Sequence, residues 1–248
     1  MIKLNKIYNE SCLETMQRMD DLYIDLTVTS PPYNMRLRIR NGEYTTREKS
    51  EHFSKKYDHF DDALPIDKYY QFHKQVIGEL LRVSKTIIYN VAIVTGSKEA
   101  VFKLIGHYAK SIKDVIVWDK GNGEPAMHEN VINRATELIL VMENGANAGR
   151  ALNRANFDRG TLNDIWRAKR PRSRNGHRAI MPDKIAGLAI TSFSKEGDIV
   201  YDPFGGSGTT ARMAHTYKRN WILSEISEEY SKMGQREIDF LMQQCVLF

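Results

Sequence analysis

The chain has 248 residues, of which 42% are hydrophobic and 27% charged, enough to bury the core of one large domain. Its net charge of +5 is basic without being extreme, and no uncharged apolar run approaches the length that spans a bilayer; we expect a cytoplasmic protein without a membrane span or a signal peptide. Two cysteines are too few for a disulfide framework or a thiolate zinc site, and seven scattered histidines show no paired ligand spacing, so no metal is expected.

The first part of the chain alternates strands and helices. In chain order it is predicted to contain a strand at 22–29, a long charged loop at 35–64, a helix at 65–83, a strand at 86–94, a helix through Val101, Leu104, Ile105 and Tyr108, and strands at 114–119 and 136–142. The strands are rich in β-branched residues, and the helix at 65–83 carries one apolar face.

Residues 143–176 interrupt this alternation, because they show little periodicity and much Asn, Gly and Arg; we predict an inserted loop region or very small module. The rest is predicted as a helix at 182–193, a strand at 198–202, a glycine loop, a helix at 208–217, a strand at 221–225 and a helix at 227–243. The alternation predicts an α/β fold with a doubly wound, mostly parallel sheet, in one domain over 1–248.

The glycine loop "IVYDPFGGSGTT" joins a strand to a helix. Gly205, Gly206 and Gly208 permit close approach of the backbone, and the helix offers unpaired N–H groups. The loop is neither a Walker A loop nor a GxGxxG fingerprint, and Asp202 at the strand tip would repel a pyrophosphate. Glu225, at the end of the next strand, is placed to bind ribose. A nucleoside with positive charge fits, which points to S-adenosylmethionine; the simpler alternative is a tight turn capped by Asp202.

The stretch "TSPPYN" ends the first strand in a rigid corner, which we call the elbow (Thr29–Asn34), because two prolines forbid both helix and ladder pairing. Ser30 and a carbonyl fixed by Pro31 and Pro32 are placed to accept the hydrogens of a planar amine, and Tyr33 offers a face for stacking. If both strand ends meet at one edge of the sheet, the amine faces an activated methyl group. The alternative is a strand stop with Tyr33 packed inward.

Two basic clusters fit a nucleic-acid backbone. They are Arg36, Arg38 and Arg40 after the elbow, and Arg167, Lys169, Arg170, Arg172, Arg174 and Arg178 near the insertion. An isolated cluster of this kind is more often a solvated loop, but these two flank the candidate chemistry.

Together these segments resemble the amino-methylating DNA methyltransferases of the β class, in which the elbow precedes the cofactor loop. The resemblance covers residues 7–34, 57–142 and 175–230, through segments such as "IYNESCLETM", "DLTVTSPPYN", "TELILVM" and "DPFGGSGTT". It implies transfer of a methyl group from S-adenosylmethionine to a base amine of double-stranded DNA, with the base flipped out of the duplex.

The resemblance also implies residue roles. The catalytic pocket would be formed by Ser30, Pro31, Pro32 and Tyr33. The cofactor would be held by Asp202, Phe204, Gly205, Gly208, Glu225, Ser11 and His177. DNA would be contacted by Arg36, Arg38, Arg40, Lys169, Arg170, Arg172 and Arg174. Residues 143–176 would form the target-recognition region, with Trp166 either in its core or wedged into the duplex.

Two departures from the family pattern bear on function. Ser11 replaces the Asp that many relatives carry before "CLE", which affects the contact to the cofactor's adenine. Ser30 replaces the Asp more frequent in adenine-modifying members, so cytosine N4 is favoured over adenine N6 as the target. The family also raises a homodimer and a cognate restriction endonuclease as partners.

Three other functions are compatible with parts of this sequence. The chain could methylate RNA or protein amines, act as a nucleotide-binding oxidoreductase, or bind DNA without chemistry. The permuted order of the motifs counts against methylation of RNA or protein. The missing GxGxxG counts against an oxidoreductase, and the intact elbow counts against a protein that binds DNA without chemistry.

Overall fold

A computed structural model of the chain describes residues 2–35, 62–124, 129–145, 149–170 and 181–245, with the backbone alone at 37–40, 43–46, 124, 244 and 245. The strands are β1 (Lys6–Tyr8), β2 (Ile24–Thr29), β3 (Leu37–Arg40), β4 (Glu43–Thr46), β5 (Ser84–Val91), β6 (Ile112–Glu124), β7 (Arg134–Glu143), β8 (Ile165–Arg167), β9 (Ile199–Asp202) and β10 (Asn220–Ser224). The helices are α1 (Cys12–Gln17), α2 (Ile66–Val83), α3 (Lys98–His107), α4 (Asp183–Phe193), α5 (Thr209–Thr216) and α6 (Glu228–Cys245).

Eight strands form one sheet in the order β1-β10-β9-β2-β5-β7-β6-β8. From β1 to β5 the neighbours are parallel, whereas β7 is antiparallel to both β5 and β6. The predicted mostly parallel sheet is thus confirmed, with one reversed strand near an edge. Every residue of β2 is buried, as expected for a strand covered on both faces.

Helices cover the sheet in two layers. On one face, α4, α5 and α6 contribute Ile190, Ala211 and Ile238 to a core shared with β2 and β9. On the other face, α1, α2 and α3 pack residues such as Met16 and Leu80 against the same strands. This arrangement confirms the doubly wound fold, and it leaves the carboxyl ends of the parallel strands as the edge where ligands bind in such sheets.

The predicted loop at 35–64 is wrong in one part, because β3 and β4 form an antiparallel hairpin with Leu37 opposite Thr46 and Arg40 opposite Glu43. A hairpin of two four-residue strands is too short for a periodic signal, and its charged residues resemble a loop. The short elements β1, α1 and β8 were missed for the same reason. The remaining predicted helices and strands are observed within about three residues of their expected bounds, except that β6 continues to Glu124, well beyond its predicted end at residue 119.

The described part of 143–176 packs onto the main domain. Strand β8 extends the large sheet beside β6, and Trp166 is 2% exposed within the main core. The Glu143 carboxylate accepts the backbone N–H of Asn153 at 3.1 Å, and Arg154 forms ion pairs with carboxylates of the domain. Of the two roles considered for Trp166, the structure supports the core position, although the core is that of the whole domain. No helix within the described residues is long and apolar enough to cross a bilayer.

Candidate active site

The elbow and the glycine loop lie next to each other. Strands β2 and β9 are parallel neighbours, with Leu26 opposite Val200 and Thr27 opposite Tyr201, so their carboxyl ends share one edge. At that edge the Thr29 hydroxyl donates to Asp202 Oδ1 at 2.7 Å. Two motifs more than 170 residues apart in sequence are thereby joined by a direct hydrogen bond.

Asp202 is a buried carboxylate surrounded by donors. Besides Thr29, the Thr210 hydroxyl donates to Oδ2 at 2.7 Å and the Phe204 backbone N–H donates to Oδ1 at 3.0 Å. Burial raises the pKa of Asp202, and these three hydrogen bonds partly offset the effect because they favour the charged form. Asp202 therefore ties β2, the glycine loop and α5 together at the point where a ligand would enter.

The glycine loop is shaped by close contacts. A Cβ on Gly205 would lie 2.9 Å from the Leu223 Cβ on β10, so no side chain fits there without displacing the strand. Gly206 and Gly208 have φ of 50° and 81°, which side chains rarely adopt. Gly208 also packs against Gly234 of α6, where a Cβ would lie 3.2 Å from the Gly234 Cα. The three glycines are thus required by the backbone path.

Glu225 follows β10 and closes the other side of the loop. Its Oε2 accepts the Gly206 N–H at 2.7 Å and its Oε1 accepts the Ser227 N–H at 2.8 Å. The Asn9 side chain donates to the Glu225 carbonyl at 2.8 Å. Both carboxylate oxygens are therefore oriented by backbone donors at the wall of the loop.

One cavity joins these features. It is lined by Ser30 and Pro32 of the elbow, by the loop from Asp202 to Ser207, and by Glu225 and Ile226. Its remaining lining residues are Glu10, Ser11, Cys12, Phe72, Met181, Thr209, Thr210, Ser224 and Tyr230. Of the predicted cofactor residues that the structure describes, all except Gly208 line the cavity, and Gly208 adjoins the lining residue Thr209.

Residues around α1 form a wall of the cavity that sequence reasoning mostly missed. Ser11 caps α1, its hydroxyl accepting the Leu13 N–H at 3.4 Å. Glu10, one residue earlier, lines the cavity, and its carboxylate accepts the Thr15 hydroxyl at 2.6 Å and pairs with Arg18. Burial raises the pKa of the Cys12 thiol to about 12, so it stays protonated at neutral pH. The acidic residue immediately before Ser11 was the feature of the sequence that could have indicated this wall of the cavity.

The elbow is held rigidly from several sides. The Tyr69 hydroxyl donates to the Pro32 carbonyl at 2.8 Å, and the Asn34 side chain donates to the carbonyls of Leu64 and Gly96, each at 2.8 Å. Tyr33 is packed inward, with 7% of its surface exposed. Stacking of a base on Tyr33 stays a prediction, since that ring is mostly covered in this structure.

Behind the elbow lies a polar cluster that the sequence did not reveal. The Tyr33 hydroxyl donates to Glu137 Oε2 at 3.0 Å and lies 2.6 Å from the Ser30 hydroxyl. The side-chain amide of Asn90, fully buried on β5, donates to the Tyr33 oxygen at 2.6 Å and to Glu137 Oε2 at 2.9 Å. Lys120 bonds to the other Glu137 oxygen at 3.2 Å.

The predicted DNA-binding residues fare differently. Lys169 is exposed, whereas the half-exposed Arg170 donates to Glu137 Oε1 at 3.0 Å. A phosphate contact by Arg170 would compete with this ion pair and stays a prediction. Outside the described residues lie Arg36, Arg172, Arg174, His177 and the side chains of Arg38 and Arg40.

The described residues fit a cationic nucleoside with a sulfonium group. The cavity has a buried carboxylate at the strand tip, an acid at the next tip and an apolar wall that includes Phe204 and Ile226. Among the described residues, no group of three or more His, Cys, Asp or Glu side chains is placed to hold a metal ion.

Comparisons with known proteins agree with this geometry. The sequence model of the family described as DNA methylase matches residues 24–236. The Type II methyltransferase M.HinfI of Haemophilus influenzae is 24% identical over 95% of this chain and 68% of its own length. The orphan methyltransferase M.BamHII of Bacillus amyloliquefaciens is 52% identical over 62 residues, a quarter of this chain and 23% of that protein.

Solved structures share the fold. The cytosine-N4-specific PvuII DNA methyltransferase superimposes with a TM-score of 0.69 at 15% identity, over 98% of this chain and 93% of that one. The complex of M1.HpyAVI with SAM gives a TM-score of 0.64 at 18% identity, over 94% and 98% of the two chains. Since the family model spans most of the sequence, the chain belongs to the N6/N4 DNA methylase family and is a DNA amino-methyltransferase of the class that modifies cytosine N4 or adenine N6.

Proposed function

We propose that the chain transfers a methyl group from S-adenosylmethionine to the N4 amino group of cytosine in double-stranded DNA. The observation that carries this proposal is the Thr29–Asp202 hydrogen bond, which places the elbow and the glycine loop on one cavity. An amine acceptor and a site for a positively charged nucleoside then face the same space, as methyl transfer between them requires.

The cofactor is assigned to the glycine-loop side of the cavity. S-adenosylmethionine, when bound, supplies an electrophilic methyl group. Asp202 offers a negative potential to the methionine end, while Phe204, Gly205 and Gly208 give it a close-fitting backbone. Glu225 accepts hydrogen bonds from ribose hydroxyls, as acids at this position do in doubly wound folds. Ser11 borders the adenine region; His177 is assigned to the same group of residues by family resemblance.

The elbow orients the substrate amine. Ser30 Oγ and a carbonyl of the Pro31–Pro32 unit accept the two amine hydrogens, which turns the nitrogen lone pair out of conjugation with the ring. The Pro32 carbonyl already accepts the Tyr69 hydroxyl and retains a second lone pair. No base is needed in advance, because the nitrogen loses its proton only after it has become a cation.

Cytosine is favoured by the residue that begins the elbow. Ser30 stands where the adenine-modifying members of the family more often carry Asp, and the PvuII methyltransferase that shares this fold is cytosine-N4-specific. Adenine N6 is the alternative, because Ser30 accepts a hydrogen bond from either amine and does not by itself select the ring.

Access to the amine requires the base to leave the duplex, so we propose base flipping into the elbow. Arg36, Arg38 and Arg40 on one side and Lys169, Arg170, Arg172 and Arg174 on the other would contact phosphates. Residues 143–176 would read the recognition sequence.

The name Type II methyltransferase carried by M.HinfI supports a cognate restriction endonuclease as a partner, and a homodimer would compensate for the small recognition region. We propose that the protein acts in the cytoplasm.

A labelled-methyl assay tests the substrate class. Purified chain would be incubated with methyl-labelled S-adenosylmethionine and, in parallel, unmethylated duplex DNA, RNA and protein. Label is expected in DNA, and Ser30→Ala is expected to abolish it while cofactor affinity survives. Faster labelling of RNA or protein than of DNA would refute the assignment.

A further inference from the structure

The buried cluster behind the elbow suggests a role that the proposed chemistry does not yet use. Glu137 and Asn90 are 4% and 0% exposed, and neither touches the cavity as a lining residue. Yet both bond to Tyr33, whose hydroxyl lies 2.6 Å from that of Ser30, a residue that does line the cavity. Burying a carboxylate is costly unless it is paired, so its position calls for a reason.

The hydrogen bonds of this cluster have a fixed starting point. Glu137 Oε1 accepts hydrogen bonds from two cationic side chains, Lys120 at 3.2 Å and Arg170 at 3.0 Å. An ionised carboxylate can only accept hydrogen bonds. Its Oε2 therefore receives a hydrogen from the Tyr33 hydroxyl and another from the Asn90 amide.

That starting point determines the direction of the next bond. A phenol has one hydrogen, and the hydrogen of Tyr33 is used on Glu137. The Tyr33 oxygen must therefore act as acceptor towards Ser30, so the 2.6 Å contact runs from the Ser30 hydroxyl to Tyr33. The Asn90 amide donates to the same Tyr33 oxygen at 2.6 Å, which reinforces its role as acceptor.

We infer that Glu137 is a positioning residue that acts through Tyr33 to orient the Ser30 hydroxyl. Ser30 Oγ also accepts a hydrogen bond from the Asn90 amide at 3.4 Å, so Ser30 presents its remaining lone pair, rather than its hydrogen, to the substrate amine. This inference rests on the proposed function and deepens it. A free serine hydroxyl could donate or accept, and a donor would repel the amine hydrogens. A chain of hydrogen bonds ending on a carboxylate also polarises its first oxygen, which makes Ser30 a better acceptor.

The decisive variants are Glu137→Gln and Tyr33→Phe, made singly and together in the full-length chain. A Gln amide can donate to the Tyr33 oxygen and so reverse the direction of the hydrogen bonds between residue 137 and Ser30. Phe at position 33 removes the hydroxyl that connects the two. Each single variant is expected to lower the single-turnover rate of methyl transfer to unmethylated genomic DNA on the order of 100-fold, because the amine is misoriented. Cofactor affinity and the KM for DNA are expected to stay within about threefold of wild type, because the lost interaction acts at the reacting amine.

The matched control is Asp25→Asn, at the amino end of β2, the strand whose carboxyl end leads into the elbow. Asp25 is also buried and bonded, to the Lys85 side chain at 2.6 Å and the Ile199 backbone N–H at 2.8 Å, but it lies at the opposite edge of the sheet from the cavity. Its rate of methyl transfer should equal that of wild type, and thermal unfolding of all variants shows whether lost stability alone slows turnover.

The double variant shows whether Glu137 acts through Tyr33 or whether the two residues affect the rate independently. If Glu137 acts through Tyr33, the double variant is no slower than the slower single variant. Multiplied losses, or a Glu137→Gln rate within threefold of wild type, would overturn the inference. Should Glu137→Gln fail to fold, Tyr33→Phe decides alone, and a rate close to wild type would overturn it. Absence of any transfer to DNA by wild type would overturn the proposed function first and this inference with it.

Discussion

Among single residues, Asp202 has the clearest dual role. Its carboxylate links Thr29 and Thr210 while it lines the cavity, so it serves both the fold and the proposed ligand. We expect Asp202→Asn to weaken binding of S-adenosylmethionine at least about tenfold, because a hydrogen bond or contact to a charged group is worth roughly 1.5–3 kcal/mol. Isothermal titration calorimetry measures the change.

The control for this substitution lies at the other end of the same strand. Asp198 precedes β9 and pairs with Arg154, away from the cavity. Asp198→Asn should leave cofactor affinity as it is in the wild type. An Asp202→Asn protein that binds the cofactor normally would show that the strand-tip carboxylate has a structural role alone.

The buried side chain of His73 makes the stability of the folded chain depend on pH. Burial lowers its pKa to about 3, and its Nδ1 lies 2.6 Å from the Tyr89 hydroxyl. The unfolded chain takes up a proton on this ring near pH 6.5, whereas the folded chain does not until about pH 3. Stability is therefore lost as the pH falls below 6.5, by about 2 kcal/mol at pH 5 relative to pH 7.5.

Urea unfolding at these two pH values tests the contribution of His73. In His73→Asn, which keeps a polar atom near Tyr89 but does not titrate, the difference in unfolding free energy between pH 7.5 and pH 5 should shrink by about 2 kcal/mol. An unchanged difference would mean that other groups cause the acid sensitivity.

At the scale of elements, the glycine loop depends on its contact with β10. Gly205→Ala would place a methyl group 2.9 Å from the Leu223 Cβ, which is too close for both to remain in place. Overpacking of this kind costs about 1–3 kcal/mol, and the displaced loop should bind the cofactor more weakly. Thermal unfolding and calorimetry report the two effects.

Gly106 of α3 offers a matched substitution. Apart from its chain neighbours and the backbone of its own helix, no described atom lies within 4 Å of the position that its Cβ would take, and the residue is exposed. Gly106→Ala should leave cofactor binding unchanged and raise stability by roughly 0.4–1 kcal/mol. If Gly205→Ala behaves like Gly106→Ala, the loop has more room than its packing indicates.

The sequence predicted the elements whose signals are local. Strand β2, the prolines after it and the glycines after β9 follow from burial patterns and backbone geometry, and the structure contains them as expected. The hairpin of β3 and β4 escaped prediction because four-residue strands carry no periodicity. Strand β8 escaped because its three residues become a strand only through pairing with β6.

The site was predictable in part for the same physical reason. Asp202 and Glu225 stand at strand tips, which sequence position alone reveals. Glu137 lies in the first half of β7, and Asn90 lies near the end of β5. Their meeting at Tyr33 depends on the antiparallel placement of β7 beside β5. Such contacts arise from topology, and no spacing along the chain encodes them.

For the molecule as a whole, the order of strands in the sheet differs from their order in the chain. Strand β2 comes early in the chain and β9 comes late, yet they are neighbours in the sheet. The elbow after β2 and the glycine loop after β9 are therefore far apart in sequence and adjacent in space. The two helical layers bury both faces of the sheet, so the carboxyl edge with its cavity is the place where a ligand meets polar side chains.

The central claim is that one cavity presents a base amine to an activated methyl group, and the products of the reaction test it most directly. Unmethylated DNA treated with the purified chain and S-adenosylmethionine would be digested to nucleosides and analysed by mass spectrometry against standards. The account predicts N4-methylcytosine; N6-methyladenine would correct the choice of base and preserve the amine. Methyl groups on ring carbon, or no methylated nucleoside at all, would contradict the claim.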